Sequence, residues 1–207
     1  MAFVKTSKSQ TNVHAARNLA RDCYGLVSEL DSSEPMARRW AARDLADCPE
    51  ASSALLARLQ EEMDASVREV ILTTLTRLGD EVAVAGLVQC LRSEDAALRN
   101  EAIEGMKQLP DEVAPMMRGL LADDDADVRI FAVNILESLR HPEVEQWLIE
   151  VIEGDVAVNV CATAVDLLGE VGTIAASEPL KRLKARFATE PYIQFAADLA
   201  IKRIVEG

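Results

Sequence analysis

An acidic residue followed four positions later by an arginine recurs along this chain at a nearly constant interval. The pairs are Glu34/Arg38, Asp64/Arg68, Asp95/Arg99 and Asp125/Arg129, with the arginines spaced 30, 31 and 30 residues apart. Apolar positions keep register with each arginine. One residue before it lie Ala37, Val67, Leu98 and Val128, and three after it Ala41, Ile71, Ala102 and Ala132. Seven after it come Leu45, Leu75, Met106 and Leu136, and ten after it Cys48, Leu78, Leu109 and Leu139. Offsets of −1, +3, +7 and +10 trace one face of a helix. A break follows in each unit, at Pro49, Gly79, Pro110 and Arg140-His141-Pro142. A second amphipathic helix comes next, for example EVAVAGLVQCL or EVEQWLIEVI.

Two further units are looser. Val160, Ala164, Leu168, Val171 and Gly172 keep register, but Cys161 stands at the arginine position and Asp155 falls two residues early. Ile193, Ala197, Ile201 and Ile204 mark a last helix, with Gln194 for arginine and Glu190 at the acid position. At the other end, His14 to Leu30 reads as a lone second helix. No single pair can bury its apolar face, so the pairs must stack, with atypical helices closing the ends. The expected organisation is a basic, flexible tail over residues 1–12 and one all-α solenoid over 13–207.

The net charge of −13 disfavours a nucleic-acid partner, because a phosphate backbone is repelled by a field of that sign. Residues 94–155 carry sixteen acids and five bases, whereas KRLKAR (181–186) holds four bases and no acid. No apolar run reaches bilayer-spanning length. Cys23, Cys48, Cys90 and Cys161 are far apart, and the start MAFVKTSKSQ has no apolar h-region. Four free thiols in a reducing, cytoplasmic compartment are the expectation.

The run Asp123-Asp124-Asp125-Ala126-Asp127 could suggest a cation loop. A calcium loop needs a glycine at its sixth position and a glutamate at its twelfth, where this chain has Val128 and Asn134. Helix capping is the reading instead: carboxylates at a helix N-terminus accept orphan N–H bonds and meet the positive end of the dipole. The acid–arginine pairs Asp64/Arg68, Asp95/Arg99 and Asp125/Arg129 are expected to ladder between neighbouring units and set their register.

The pattern D-x-x-V-R-x-x-A-x-x-x-L-x-x-L-G, best seen from Asp64 to Asp80, resembles HEAT repeats. It is most similar to the short bacterial class also found in phycobilisome bilin lyases, over roughly residues 32–204. The resemblance implies a right-handed α-α superhelix of about five HEAT-like helix pairs with a capping helix at each end. It also implies a scaffold or adaptor that binds a partner protein through the concave face lined by second helices, with a bilin-lyase-like accessory role as the alternative. The branch of the family that binds iron through repeated His-Glu pairs does not fit, since neither His14 nor His141 precedes a glutamate.

No nucleotide-binding, hydrolase or zinc-protease motif is present, so neither catalysis nor a cofactor is expected. Anchoring the second helices on Leu59, Leu91, Leu121, Val151 and Leu183 places the residues two before and one after each anchor outward. These are Ala57/Gln60, Gln89/Arg92, Gly119/Ala122, Ile149/Ile152 and Lys181/Lys184. Gln89, Arg92, Met116, Ile149, Ile152, Lys181 and Lys184 are therefore the candidate partner-binding residues. Trp147 and Met117 align with Leu87 and are expected in the core. Phe187, Tyr192 and Phe195 suggest a homodimer edge along the last helix.

Overall fold

In a computed structural model of the chain, residues 22–206 are described. The tail expected over residues 1–12 lies outside them. The described residues are helices joined by short turns, with no strand among them. The helices are α1 (Cys23–Glu29), α2 (Pro35–Asp44), α3 (Ser52–Glu61), α4 (Ala65–Leu78), α5 (Glu81–Cys90), α6 (Ala96–Lys107) and α7 (Pro110–Val113). After them come α8 (Met117–Leu121), α9 (Ala126–Leu136), α10 (Val144–Gly154), α11 (Val158–Val171), α12 (Ser177–Arg186) and α13 (Pro191–Glu206). The chain divides into two compact units between Thr74 and Leu75.

The repeat spacing maps onto these elements. First helices are α2, α4, α6, α9, α11 and α13; second helices are α1, α3, α5, α7–α8, α10 and α12. The positions three and seven after each arginine are fully buried: Ala41, Ile71, Ala102 and Ala132, then Leu45, Leu75, Met106 and Leu136. In the looser units Val160, Ala164 and Leu168, and then Ile193 and Ala197, are buried in the same way. Small alanines at the centre let neighbouring first helices approach closely, and leucines fill the space beside them.

Two boundaries differ from the sequence reading. Helix α1 starts at Cys23, because Asp22 is extended and its carboxylate accepts the Gly25 N–H at 2.7 Å. Its first part, expected from His14, falls before the described residues. The second helix of the third pair is broken into α7, a 3₁₀ turn at Ala114–Met116, and α8. Pro115 supplies no N–H and interrupts the ladder there.

Gly79 ends α4 with a φ of 59°, the left-handed conformation that glycine adopts without a Cβ penalty. Gly79→Ala is expected to destabilise the fold by about 1–2 kcal/mol. A denaturant titration followed by circular dichroism would measure it, and a midpoint unchanged from wild type would refute it.

Residues 22–74 contain one cross-link that the cysteine spacing did not suggest. Cys23 and Cys48 form a disulfide, with Cα atoms 5.8 Å apart. The expectation of four free thiols therefore holds for Cys90 and Cys161, both buried, and fails for this pair. Cys23 opens a second helix and Cys48 ends a first helix one repeat later, so packing brings together positions 25 residues apart. The disulfide removes the thiol argument for a reducing compartment. No helix among the described residues is long and apolar enough to cross a membrane.

Candidate functional site

The turns between repeats carry a side-chain system that positions the second helices. In five successive repeats the residue six before the arginine position accepts the backbone N–H two residues on. Ser32 accepts from Glu34, Glu62 from Asp64, Ser93 from Asp95, Asp123 from Asp125, and Asp155 from Ala157. Asp155 thus occupies its regular place, six before Cys161. The acids four before the arginine have a separate task. Asp64, Asp95 and Asp125 cap the first helices through N–H bonds at 2.9 Å from Ser66, Ala97 and Asp127. Glu34 makes no such side-chain cap.

Two of the repeat arginines bridge to an acid of the next unit, Arg38 to Glu62 and Arg129 to Asp155. Each acid and the arginine four residues on are joined through the main chain. The N–H groups of Arg38, Arg68, Arg99 and Arg129 donate to the carbonyls of Glu34, Asp64, Asp95 and Asp125 at 3.1 or 3.2 Å. That bond opens the helix whatever the two side chains are; the spacing of four follows from two separate side-chain roles, the acid capping its own helix and the arginine reaching back to the turn before it. In the second repeat the Asp64 carboxylate accepts from Ser66 and Val67, not from Arg68, whose side chain is half-buried.

The other arginines reach away from the acids that precede them. Arg38, Arg99 and Arg129 each donate to carbonyls in the turn just after the preceding second helix, at Ser32, Ser93 and Asp123. A cation there lies near the negative end of the helix dipole and satisfies turn carbonyls that the helix leaves exposed. Arg38 also grips Glu62, and Arg129 grips Asp155, through two hydrogen bonds each. The Arg38 hydrogen bonds hold the Glu62 carboxyl down at about 2. Burial works to raise the Asp155 carboxyl, but the bond from Arg129 overrides it and leaves it below its usual range. Arg99 instead lies over the Phe131 ring, 5.7 Å from its centre.

Where the fifth repeat lacks its arginine, another takes over. Arg186, at the end of α12, donates to the carbonyls of Ile152, Glu153 and Asp155 and to the Cys161 sulfur at 3.3 Å. The cationic cap on α10 thus comes from a different helix, 25 residues beyond the position where the repeat would place it.

Within residues 75–207, further ion pairs cross the second helices. Arg92 pairs with Asp123, Arg118 with Glu143 at 2.9 Å and Glu150 at 3.3 Å, and Arg182 with Glu153. The candidate binding residues fall into two groups against this frame. Gln89, Arg92 and Lys181 are exposed, and Met116 and Lys184 are half-buried. Ile149 and Ile152 are 8 % and 1 % exposed and belong to the core. The physical reason is register: Leu148 and Ile152 are the deep positions of α10, so the helix is turned by one residue from the Val151 anchor. Glu150 and Glu153 then face outward, and this repeat presents acids where an apolar surface was expected.

A cleft of about 590 Å³ lies between α8 and α10. Helix α8 is short, and Ala122 and Gly154 at the walls carry almost no side chain; a Cβ on Gly154 would meet nothing within 4 Å. Trp147 and Val151 line the cleft, and Asp123, Asp124, Glu150 and Asp155 line it against Arg118 and Arg129. Trp147 is 3 % exposed, as a core position should be, yet its indole N–H has no acceptor among the described residues. The same ring also lines a neighbouring cleft of about 390 Å³ with Asp111, Pro115 and Glu143, and stacks on His141 at 4.9 Å.

On α13, Phe195 is 67 % exposed, whereas Tyr192 donates to Asp166 at 2.7 Å and Phe187 is half-buried beside Arg186. Among the described residues no group of three His, Cys, Asp or Glu side chains is arranged to hold a metal ion.

No curated protein matches the chain. An archaeal HEAT-like repeats protein from Thermococcus onnurineus NA1 is 15 % identical, with a TM-score of 0.48, covering 97 % of this chain and 94 % of that one. The complex of CpcE and CpcF of phycocyanin lyase from Nostoc sp. PCC7120 is 18 % identical, with a TM-score of 0.41 and coverage of 98 % and 100 %. A designed armadillo repeat protein in complex with the peptide (KR)4 is 18 % identical, with a TM-score of 0.42 and coverage of 86 % and 98 %. The model of HEAT repeats matches residues 25–107, 52–129 and 113–201. With the acid–arginine period, the buried first-helix alanines and the helix–turn–helix order, that match makes this chain a member of the HEAT-repeat family.

Proposed function

We propose that this protein is a non-catalytic scaffold or adaptor that binds a partner protein through the second-helix face of residues 75–207. The observation that carries the reading is the make-up of that face. Ion pairs hold the second helices in register, and Gly119, Ala122 and Gly154 are exposed between them. A face that is rigid and low in side-chain bulk loses little entropy on binding and lets another chain approach closely.

A crosslinking pulldown from the native host tests the proposal, with Gln89→Glu, Ala122→Arg and Glu150→Lys combined in one variant. All three residues are exposed, and losing the exposed Arg118–Glu150 pair costs little stability, so the variant should keep its helical signal. The expected result is a partner captured by the wild type and lost by the variant. A partner retained by the variant would move the binding face elsewhere. A co-purified pigment with no protein partner would replace the scaffold with the lyase-like role.

A further inference from the structure

The Trp147 cleft combines two features that the fold does not require. One is a surplus of negative charge. Asp155 is taken up by Arg129, and Asp123 by Arg92. Across the two clefts that leaves Asp111, Asp124, Glu143 and Glu150 facing Arg118 alone. Asp124 is exposed, and its carboxylate accepts no hydrogen bond among the described residues. The surrounding stretch 94–155 has sixteen acids and five bases, so the local field favours a cation. The other feature is the unmet donor. A buried N–H without an acceptor carries the full cost of its desolvation; the Trp147 Nε1 is covered in the fold, so a ligand carbonyl recovers that cost as the ring turns into the cleft. The acids select for positive charge, the indole selects for a carbonyl, and the glycine and alanine walls admit a main chain. An extended peptide with basic side chains offers all three.

We infer that the cleft between α8 and α10 docks an extended, lysine- or arginine-bearing segment of the partner protein. A main-chain carbonyl of the segment supplies the acceptor that Trp147 lacks, and a basic side chain lies between Asp124 and Glu150. The inference rests on the scaffold reading and names the chemistry of its partner.

The test uses the full chain and three fluorescein-labelled peptides of equal length: alternating Arg-Ala, alternating Glu-Ala, and Ser-Gly. Fluorescence anisotropy is read at low and high salt. The Arg-Ala peptide is expected to bind, more weakly at high salt, and the other two are not. Gly154→Leu adds bulk at the cleft wall without changing charge, its Cβ meeting nothing within 4 Å, and should weaken binding at least about tenfold. Glu150→Lys should act in the same direction, and Trp147→Phe should cost about fivefold, the weight of one hydrogen bond. Circular dichroism confirms that each variant is folded.

Binding of Arg-Ala that is indifferent to Gly154→Leu would mean diffuse attraction to an acidic protein and would overturn the inference. Tighter binding of Glu-Ala, or no peptide binding at all, would overturn it as well. So would a dimer, seen by sedimentation, that Gly154→Leu dissociates, since a second copy would then be the occupant. A host protein still captured by Gly154→Leu would sink this inference and leave the scaffold standing. A host partner captured by no form of the chain would sink the scaffold itself.

Discussion

Arg38→Ala is expected to destabilise the protein by about 3–5 kcal/mol, the range for removing one partner of a buried ion pair. Glu62 is 3 % exposed and receives two bonds of 2.7 Å from the Arg38 guanidinium. Arg58 at 3.0 Å and the Asp64 N–H at 2.9 Å are all that remain once it is gone. Arg38 also satisfies the Ser32 and Ser33 carbonyls at the end of α1. The double variant Arg38→Ala/Glu62→Ala should lose less than the sum of the singles, because the stranded charge is removed with its partner. Urea titration monitored by circular dichroism measures all three, and a single variant within about 0.5 kcal/mol of wild type would contradict the account.

The same pair carries a pH dependence with a definite sign. The Glu62 carboxyl is lowered from 4.5 to about 2 in the fold. A carboxylate depressed on folding adds stability that is fully present above its unfolded value and lost as pH falls through its folded value. Stability should therefore decline from about pH 5 toward pH 2, by about 3 kcal/mol from this group. Glu62→Gln should be less stable at neutral pH and should flatten the slope. An unchanged slope would assign the acid sensitivity to other carboxylates.

Reduction of the Cys23–Cys48 disulfide is expected to lower stability by about 3 kcal/mol. The bond closes a loop of 25 residues, and opening it returns that closure entropy to the unfolded chain. Cys23→Ser/Cys48→Ser should reproduce the loss and make stability independent of reductant. Thiol counting gives an independent check. Denatured, unreduced protein should titrate two thiols, Cys90 and Cys161. In the folded protein both should react slowly, since both are buried and burial pushes the Cys90 thiol up to about 11. Four reactive thiols in the denatured, unreduced chain would refute the disulfide.

The period of the repeat, its helix pairs and its buried alanine and leucine positions were legible in the sequence. An amphipathic helix announces its inner face through spacing alone, and a recurring unit states the pattern several times over. The reading failed where a residue's role depends on a neighbour from another repeat. An acid and an arginine four apart, such as Asp125 and Arg129, read as members of a ladder between units; in the fold the acid caps its own helix and the arginine reaches Asp155 of the next unit. The acid two residues earlier than expected, Asp155, is a regular turn residue, a role visible only once Ser32, Glu62, Ser93 and Asp123 are seen accepting the same bond. The missing fifth arginine is replaced in space by Arg186, which no local pattern predicts. Ile149 and Ile152 turned inward because a one-residue shift rotates a helix by about 100°, less than the width of an apolar stripe, so spacing left two registers open for α10.

What the sequence by itself determined is therefore the fold: helix pairs that cannot be stable singly must stack, and their period says how. The tertiary structure alone decided which side chains meet between the pairs. The Cys23–Cys48 bond, the Arg38–Glu62 clamp and the Trp147 cleft each join residues at least 24 positions apart or depend on the gap between two helices. Such contacts follow from how far one helix is turned and shifted against the next, and many side-chain combinations satisfy the same apolar period while differing in that geometry.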